Sequence, residues 1–153
     1  MKYFFVFLVF QITCTNIVVA QEADNEVAFA VIEKVPIYKG CNKKWSNSAL
    51  KKCMSEKVVK HVVKHFNINV ASGLGFPDGK VKINVIFKVN NKGDVTGIRA
   101  SGPHSKLEEE AIRVIKLLPK FKPGMQDGKA VTVPYALPLI FNIDNSKYKK
   151  NKQ

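Results

Sequence analysis

A chain of 153 residues can bury one modest core, and an apolar fraction of 46% excludes a disordered chain as a whole. The net charge of +13 raises the thought of nucleic acid, but Arg99 and Arg113 are the only arginines. Lysine is a point charge without the fork that grips phosphate and guanine, so nucleic acid is set aside.

Residues 1–20, MKYFFVFLVFQITCTNIVVA, carry one lysine, an apolar run from Tyr3 to Phe10, and small Val18 and Ala20 just before Gln21. That pattern predicts a signal peptide over 1–20 and an exported mature chain. The alternative is an uncleaved inner-membrane anchor, against which Gln11, Thr13, Thr15 and Asn16 would sit in hydrocarbon without water. The residues before Cys14 do not resemble a lipobox. For an exported chain the lysines suit anionic envelope polymers, lipopolysaccharide or peptidoglycan, or simply a well-solvated basic surface.

A polar arm follows at 21–28. FAVIEKVPIY, from Phe29, reads as an extended segment ending around Pro36. Cys41 and Cys53 then remain as an even pair in an exported chain, which favours a disulfide. Two thiols this far apart make a weak metal site.

From Ser48 to Phe66 the period is helical, with Leu50, Met54, Val58, Val62 and Phe66 every fourth residue, Val59 and Val63 beside them, and lysines largely off the stripe. After a glycine-rich break, Val81, Ile83, Val85, Phe87 and Val89 alternate as a half-buried strand. NNKGD predicts a hairpin turn with Gly93 at positive φ. In the return strand, VTGIRAS, Val95 and Ile98 fall out of phase and predict a bulge at Gly97. SKLEEEAIRVIKLLP reads as a second helix, with Ser105 and Glu108 as a capping box and Pro119 as its stop. KFKPGMQDGKA reads as a turn. The order is β-α-β-β-α-β, an α+β class with an antiparallel sheet and both helices on one face.

The last strand, VTVPYALPLIF from Val131, contains two prolines. Val131, Val133, Tyr135, Leu137, Leu139, Phe141 and Ile143 share the core face, while Pro134 and Pro138 share the other parity. Backbone groups alternate in direction as side chains do, so the missing donors at 134 and 138 point to one side. This predicts an edge strand whose outer edge keeps donors at Thr132, Ala136, Ile140 and Asn142. Such an edge protects against unwanted sheet growth, or accepts a guest strand in a restricted register.

Candidate chemistry is thin. His61 and His65 stand four apart on the first helix with His104 as the only other histidine, too few ligands for a metal; the expectation is helix-border packing and no metal or other cofactor. Ser101, His104, Ser105 and the run Glu108 to Glu110 read as helix capping rather than catalysis. Cys41 and Cys53 are too far apart for a C-x-x-C redox motif, and there is no phosphate loop or nucleophile elbow. No enzyme is expected.

In their order and spacing, residues 29–143 closely resemble the C-terminal domain of TonB, the energy transducer of outer-membrane transport. The motifs are V-P-x-Y at Val35 to Tyr38, G-x-V at Gly79 to Val81, NKGDV at Asn91 to Val95, E-A-I-R at Glu110 to Arg113, L-P-K-F-K-P-G at Leu118 to Gly124, and a P-x-x-F-like end at Pro138 to Phe141. Lys39 stands where the family commonly has proline. The cysteines resemble a subgroup in which they pin the loop onto the first helix.

The resemblance implies strand addition: a short segment of a TonB-dependent outer-membrane transporter, or another envelope protein, pairs with the sheet edge. Carried over by position, the contact residues are Thr132, Pro134, Ala136, Pro138, Ile140 and Asn142 on the last strand, supported by Val35, Pro36 and Tyr38. Edges of this kind can also join two copies of a chain as a homodimer. A full transducer of this type has a membrane helix and a long Pro-rich segment ahead of the domain. Only a short stretch precedes it here, so the expected role is a binding domain supporting TonB-dependent transmembrane transport. The alternatives are a short anchored transducer and a basic module for envelope polymers. A Lys-rich tail, 144–153, closes the chain.

Overall fold

The computed structural model describes residues 26–29, 31–71 and 74–144. The expected signal peptide, residues 21–25 of the arm and residues 145–153 of the tail lie outside the described residues.

Helix α1 spans Asn47–His65, and Leu50, Met54, Val58 and Val62 of the stripe are all buried. Its N-cap is Ser46, whose Oγ accepts the Ala49 N–H at 3.3 Å. Lys64 and His65 in the last turn lie at the negative end of the helix dipole. A short 3₁₀ turn, Ile68–Ala71, follows.

Strand β1, Gly79–Val89, and strand β2, Val95–Ser101, form the expected hairpin. Gly93 turns it at φ +85. A Cβ there would lie 2.0 Å from the Phe121 carbonyl oxygen, so only glycine fits. The bulge is also present: Ile86 pairs with Arg99 but Lys88 with Thr96, and Gly97 takes the extra position at φ +57.

Helix α2 is Ser105–Lys116, and its cap differs from expectation. His104 is the N-cap, its Nδ1 accepting the Lys106 N–H at 3.1 Å, and Ser105 is the first helical residue. Glu108 accepts the Gly102 N–H at 2.8 Å, two residues before the cap, rather than the cap's own N–H as a capping box would. Pro103, between Gly102 and the cap, has no N–H to offer this carboxylate.

The segment expected as a plain turn contains a small hairpin, β3 (Gly124–Gln126) with β4 (Lys129–Val131). Asp127 and Gly128 both take positive φ, 50° and 73°, as a two-residue type I′ loop requires. Strand β5, Val133–Ile143, then pairs antiparallel with β1 along the whole of both strands, and the sheet order is β2-β1-β5.

The fold is thus α+β with an antiparallel sheet and two helices, as expected. The segment before α1 is not a strand of that sheet. It turns at Ala28, whose carbonyl accepts the Val31 N–H, and makes single bridges from Lys34 to Met125 and from Ile37 to Lys122. The Asn47 side chain supplies partners that a ladder would otherwise provide: Oδ1 accepts the Val35 N–H, and Nδ2 donates to the carbonyls of Ile32 and Glu33.

Phe87, Met54, Ile83, Leu107 and Ile115 are among the largest fully buried side chains of the main core, which joins the sheet to both helices. Each fully buried side chain of this size contributes about 1.5–3 kcal/mol. A second cluster, Ile32, Val35, Leu50, Val131 and Val133, holds the segment before α1 against β5's first residues.

Candidate functional site

Strand β5 lies at the end of the sheet, so one of its edges has no strand beside it. Its odd residues pair with odd residues of β1, among them Leu137 with Val85 and Leu139 with Ile83. Pro134 and Pro138 lie opposite Lys88 and Asn84, in pairs where neither residue turns its N–H inward. The prolines therefore cost the β1–β5 ladder nothing, and their missing donors fall on the outer edge.

That edge is already used at one end. The Thr132 carbonyl accepts the Val27 N–H at 2.9 Å, and Glu26 bridges Thr132 in parallel fashion. Thr132 is fully buried. The arm then turns inward, where Phe29 meets the Tyr135 ring edge-on at 5.2 Å and Lys51 Nζ lies over the Phe29 ring, 5.1 Å from its centroid. Among the described residues, no strand pairs with the outer edge from Pro134 onward. Over that stretch the donors are those of Ala136, Ile140 and Asn142, and the outward carbonyls are those of Pro134, Ala136, Pro138, Ile140 and Asn142. Ala136, Pro138, Ile140 and Asn142 are exposed, while Pro134 is half-buried.

Helix α1 covers the core face of β5. Ser55 Oγ and Tyr135 Oη share a hydrogen bond at 2.5 Å. One strand-length further on, Phe66 stacks on Phe141 with ring centroids 4.1 Å apart. The Cys41–Cys53 disulfide is present, and it ties the loop before α1 to the helix's second turn.

The other expected contact residues are elsewhere. Val35, Pro36 and Tyr38 are buried; Val35 belongs to the second core cluster. Tyr38 packs edge-on against Phe121 at 5.2 Å, and burial pushes its hydroxyl above the usual tyrosine range. All three are packed in the interior rather than presented as contact surface.

His61 and His65 lie side by side with ring centroids 4.5 Å apart. His61 Nε2 lies 3.1 Å from the Val114 carbonyl oxygen on α2. Burial, with His65 and Lys64 nearby, holds His61 below the usual histidine range, the bond to Val114 opposing this. Among the described residues no cluster of three or more His, Cys, Asp or Glu could hold a metal.

A shallow pocket of about 320 Å³ has Ile37, Tyr38 and Phe121 in its lining and also Lys39, Lys43, Lys120 and Lys122. Sequence reasoning missed it because its lysines come from two segments far apart in the chain, joined by the Ile37–Lys122 bridge and the Tyr38–Phe121 contact. None of the described helices is long and apolar enough to cross a membrane.

The family model for the Gram-negative bacterial TonB protein C-terminal matches residues 78–143. The match runs from the start of β1 to the end of β5 and leaves out α1 and the disulfide loop. Neither a curated protein nor a solved structure gave a significant match.

Proposed function

We propose that this chain, whose residues 78–143 match the family model for the TonB C-terminal, is a periplasmic binding domain. It engages an outer-membrane transporter, or another envelope protein, by adding one of the partner's extended segments to β5. The observation that carries this reading is the outer edge of β5. Among the described residues no strand pairs with it from Pro134 to Asn142, and the α1 segment packs on its core face through Ser55 and Phe66.

The guest's register is restricted. Donors at Ala136, Ile140 and Asn142 can be met, while a guest carbonyl opposite Pro134 or Pro138 must turn to water. The contact residues are therefore Pro134, Ala136, Pro138, Ile140 and Asn142, with Thr132 reserved for the chain's own arm.

Hydrogen exchange of the full chain, with and without a candidate transporter segment, tests this. Slowed exchange at Ala136, Ile140 and Asn142 is expected, with no change at the inward-facing Leu137 and Leu139. Protection elsewhere with none on these three sinks the reading.

A second reading has its own observation, the lysine-rimmed pocket. An anionic envelope polymer would be held there by charge rather than by backbone pairing, so its binding would weaken steeply with salt. Strand addition, dominated by main-chain hydrogen bonds, would be far less sensitive.

A further inference from the structure

Helix α1 extends sideways past the edge that it covers. Ser55 and Phe66 both touch β5, and at eleven residues apart they lie on one flank of the helix. The opposite flank is held by α2, through His61 on the Val114 carbonyl and Arg113 on the His65 carbonyl. Between the two, Val58 and Val62 point down into the core.

Going round the helix from α2, past the sheet and past β5, the next positions are Val59 and Val63. They point away from α2, over the space where a strand beside β5 would lie. Val59 is 42% exposed and Val63 72%. Below them, on the outer face of the sheet, Ile140 is 62% exposed. The vacant strand position thus has an apolar roof as well as an open backbone edge.

The charges around it are almost all of one sign. Lys51, Lys52 and Lys60 flank the two valines on α1, with Glu56 as the one acid between them. On the outer face, Lys80 and Lys82 of β1 lie opposite Asn142 and Ile140. They are two strand spacings from a guest, about 10 Å, a gap that a lysine and a glutamate side chain can close together.

We propose that Val59 and Val63 form a specificity roof for the added strand, and that its occupant is an extended segment of another polypeptide with apolar residues alternating with acidic ones. Apolar side chains of the guest face the roof, and its carboxylates, on the opposite parity, face Lys80 and Lys82 on the outer face of the sheet. This rests on the strand-addition reading above and adds what the guest must look like. Backbone pairing alone is blind to side chains; the roof is what would reject a polar segment.

The probes are three labelled heptapeptides: valine alternating with glutamate, valine with lysine, and serine with glutamate. Each is titrated by fluorescence anisotropy into the full chain, into the double variant Val59→Ser/Val63→Ser, and into Ile140→Pro. Both valines are exposed enough that the double variant should keep its fold, which the thermal midpoint checks; Val63→Ser alone is the fallback.

The valine–glutamate peptide is expected to bind at least tenfold more tightly than either other peptide. The double variant should remove about tenfold of that affinity while leaving the serine–glutamate peptide unchanged. If Ile140→Pro weakens binding but the double variant binds as the parent does, strand addition stands and the roof is overturned. If no peptide binds and Ile140→Pro changes nothing, both fall. Sedimentation of the chain alone covers the remaining occupant: a dimer dissolved by Val63→Ser would overturn the assignment to a foreign segment.

Discussion

The carboxylate of Glu110, on α2, accepts the backbone N–H of Asn67 at 2.7 Å, just past the end of α1. Arg113 holds the same carboxylate through Nε at 2.7 Å and Nη2 at 2.6 Å, and it donates to the His65 carbonyl at 2.8 Å. One acid and one arginine thereby join the two helices at the point where α1 gives way to the 3₁₀ turn. The position of α1 over β5, and so the roof above the vacant edge, depends on this joint.

Glu110 is 7% exposed. The hydrogen bond from Arg113 is the main cause holding its carboxyl below the usual carboxylate range, helped by the Asn67 N–H and the Arg113 charge and opposed by burial. A carboxyl lowered by folding adds stability above its unfolded pKa, about 4.3, and that stability is lost as pH falls through the folded value. Glu110→Gln should cost about 1–3 kcal/mol at pH 7. The gap to the parent should narrow below about pH 4, where the parent's own carboxyl protonates. Urea unfolding at pH 7 and at pH 3 reads both; an equal gap at the two pH values would show that the charge is not what matters.

Much of this was legible in the sequence because the local signals agree with the global fold. Leu50 to Phe66 fix α1 by period alone, Gly93 and Gly97 announce a turn and a bulge, and the shared parity of Pro134 and Pro138 identifies the edge strand and the direction of its open side. Two failures are instructive. The Asp127–Gly128 pair is a strong hairpin signal, yet the strands that it joins are only three residues long and show no alternation to read. The segment around Val35 has a strand's composition, but its backbone is claimed by the Asn47 side chain, a long-range contact that no local pattern announces. The roof was invisible for a related reason: Val59 and Val63 read as part of a helical stripe, and only the contacts of Ser55, Phe66 and His61 show that they fall outside the core.

Gly93 is the position least able to change. Gly93→Ala would place a Cβ 2.0 Å from the Phe121 carbonyl oxygen, in a backbone conformation at φ +85 that L residues rarely take. The Phe121 N–H donates to the Gly93 carbonyl at 2.8 Å, so relief must pull the α2–β3 connection away from the hairpin. A loss of at least about 2 kcal/mol is expected. Thermal unfolding of the variant measures it, and a midpoint within a degree of the parent's would refute the steric account.

The disulfide should act mainly on the unfolded chain. It closes a short loop, with twelve residues of separation, and its removal should cost about 3 kcal/mol. The cost should appear equally on adding reductant to the parent and in a Cys41→Ser/Cys53→Ser variant. Urea midpoints compare the two, and a variant markedly less stable than the reduced parent would mean that packing around Cys53, only 8% exposed, matters more than the bond.

Parity along β5 gives the sharpest contrast between neighbouring residues. Ile140 turns its N–H toward the open edge, so Ile140→Pro removes a donor that the folded chain does not use. Leu139 turns its N–H toward Ile83 of β1 and its side chain is 4% exposed, so Leu139→Pro breaks a ladder bond and empties a core position together. The first should change stability by less than about 1 kcal/mol and the second should cost about 3 kcal/mol or more. Urea unfolding of the two variants side by side decides it. Similar losses at both positions would mean that the outer edge of β5 is not open in solution, and an edge already occupied cannot receive a guest.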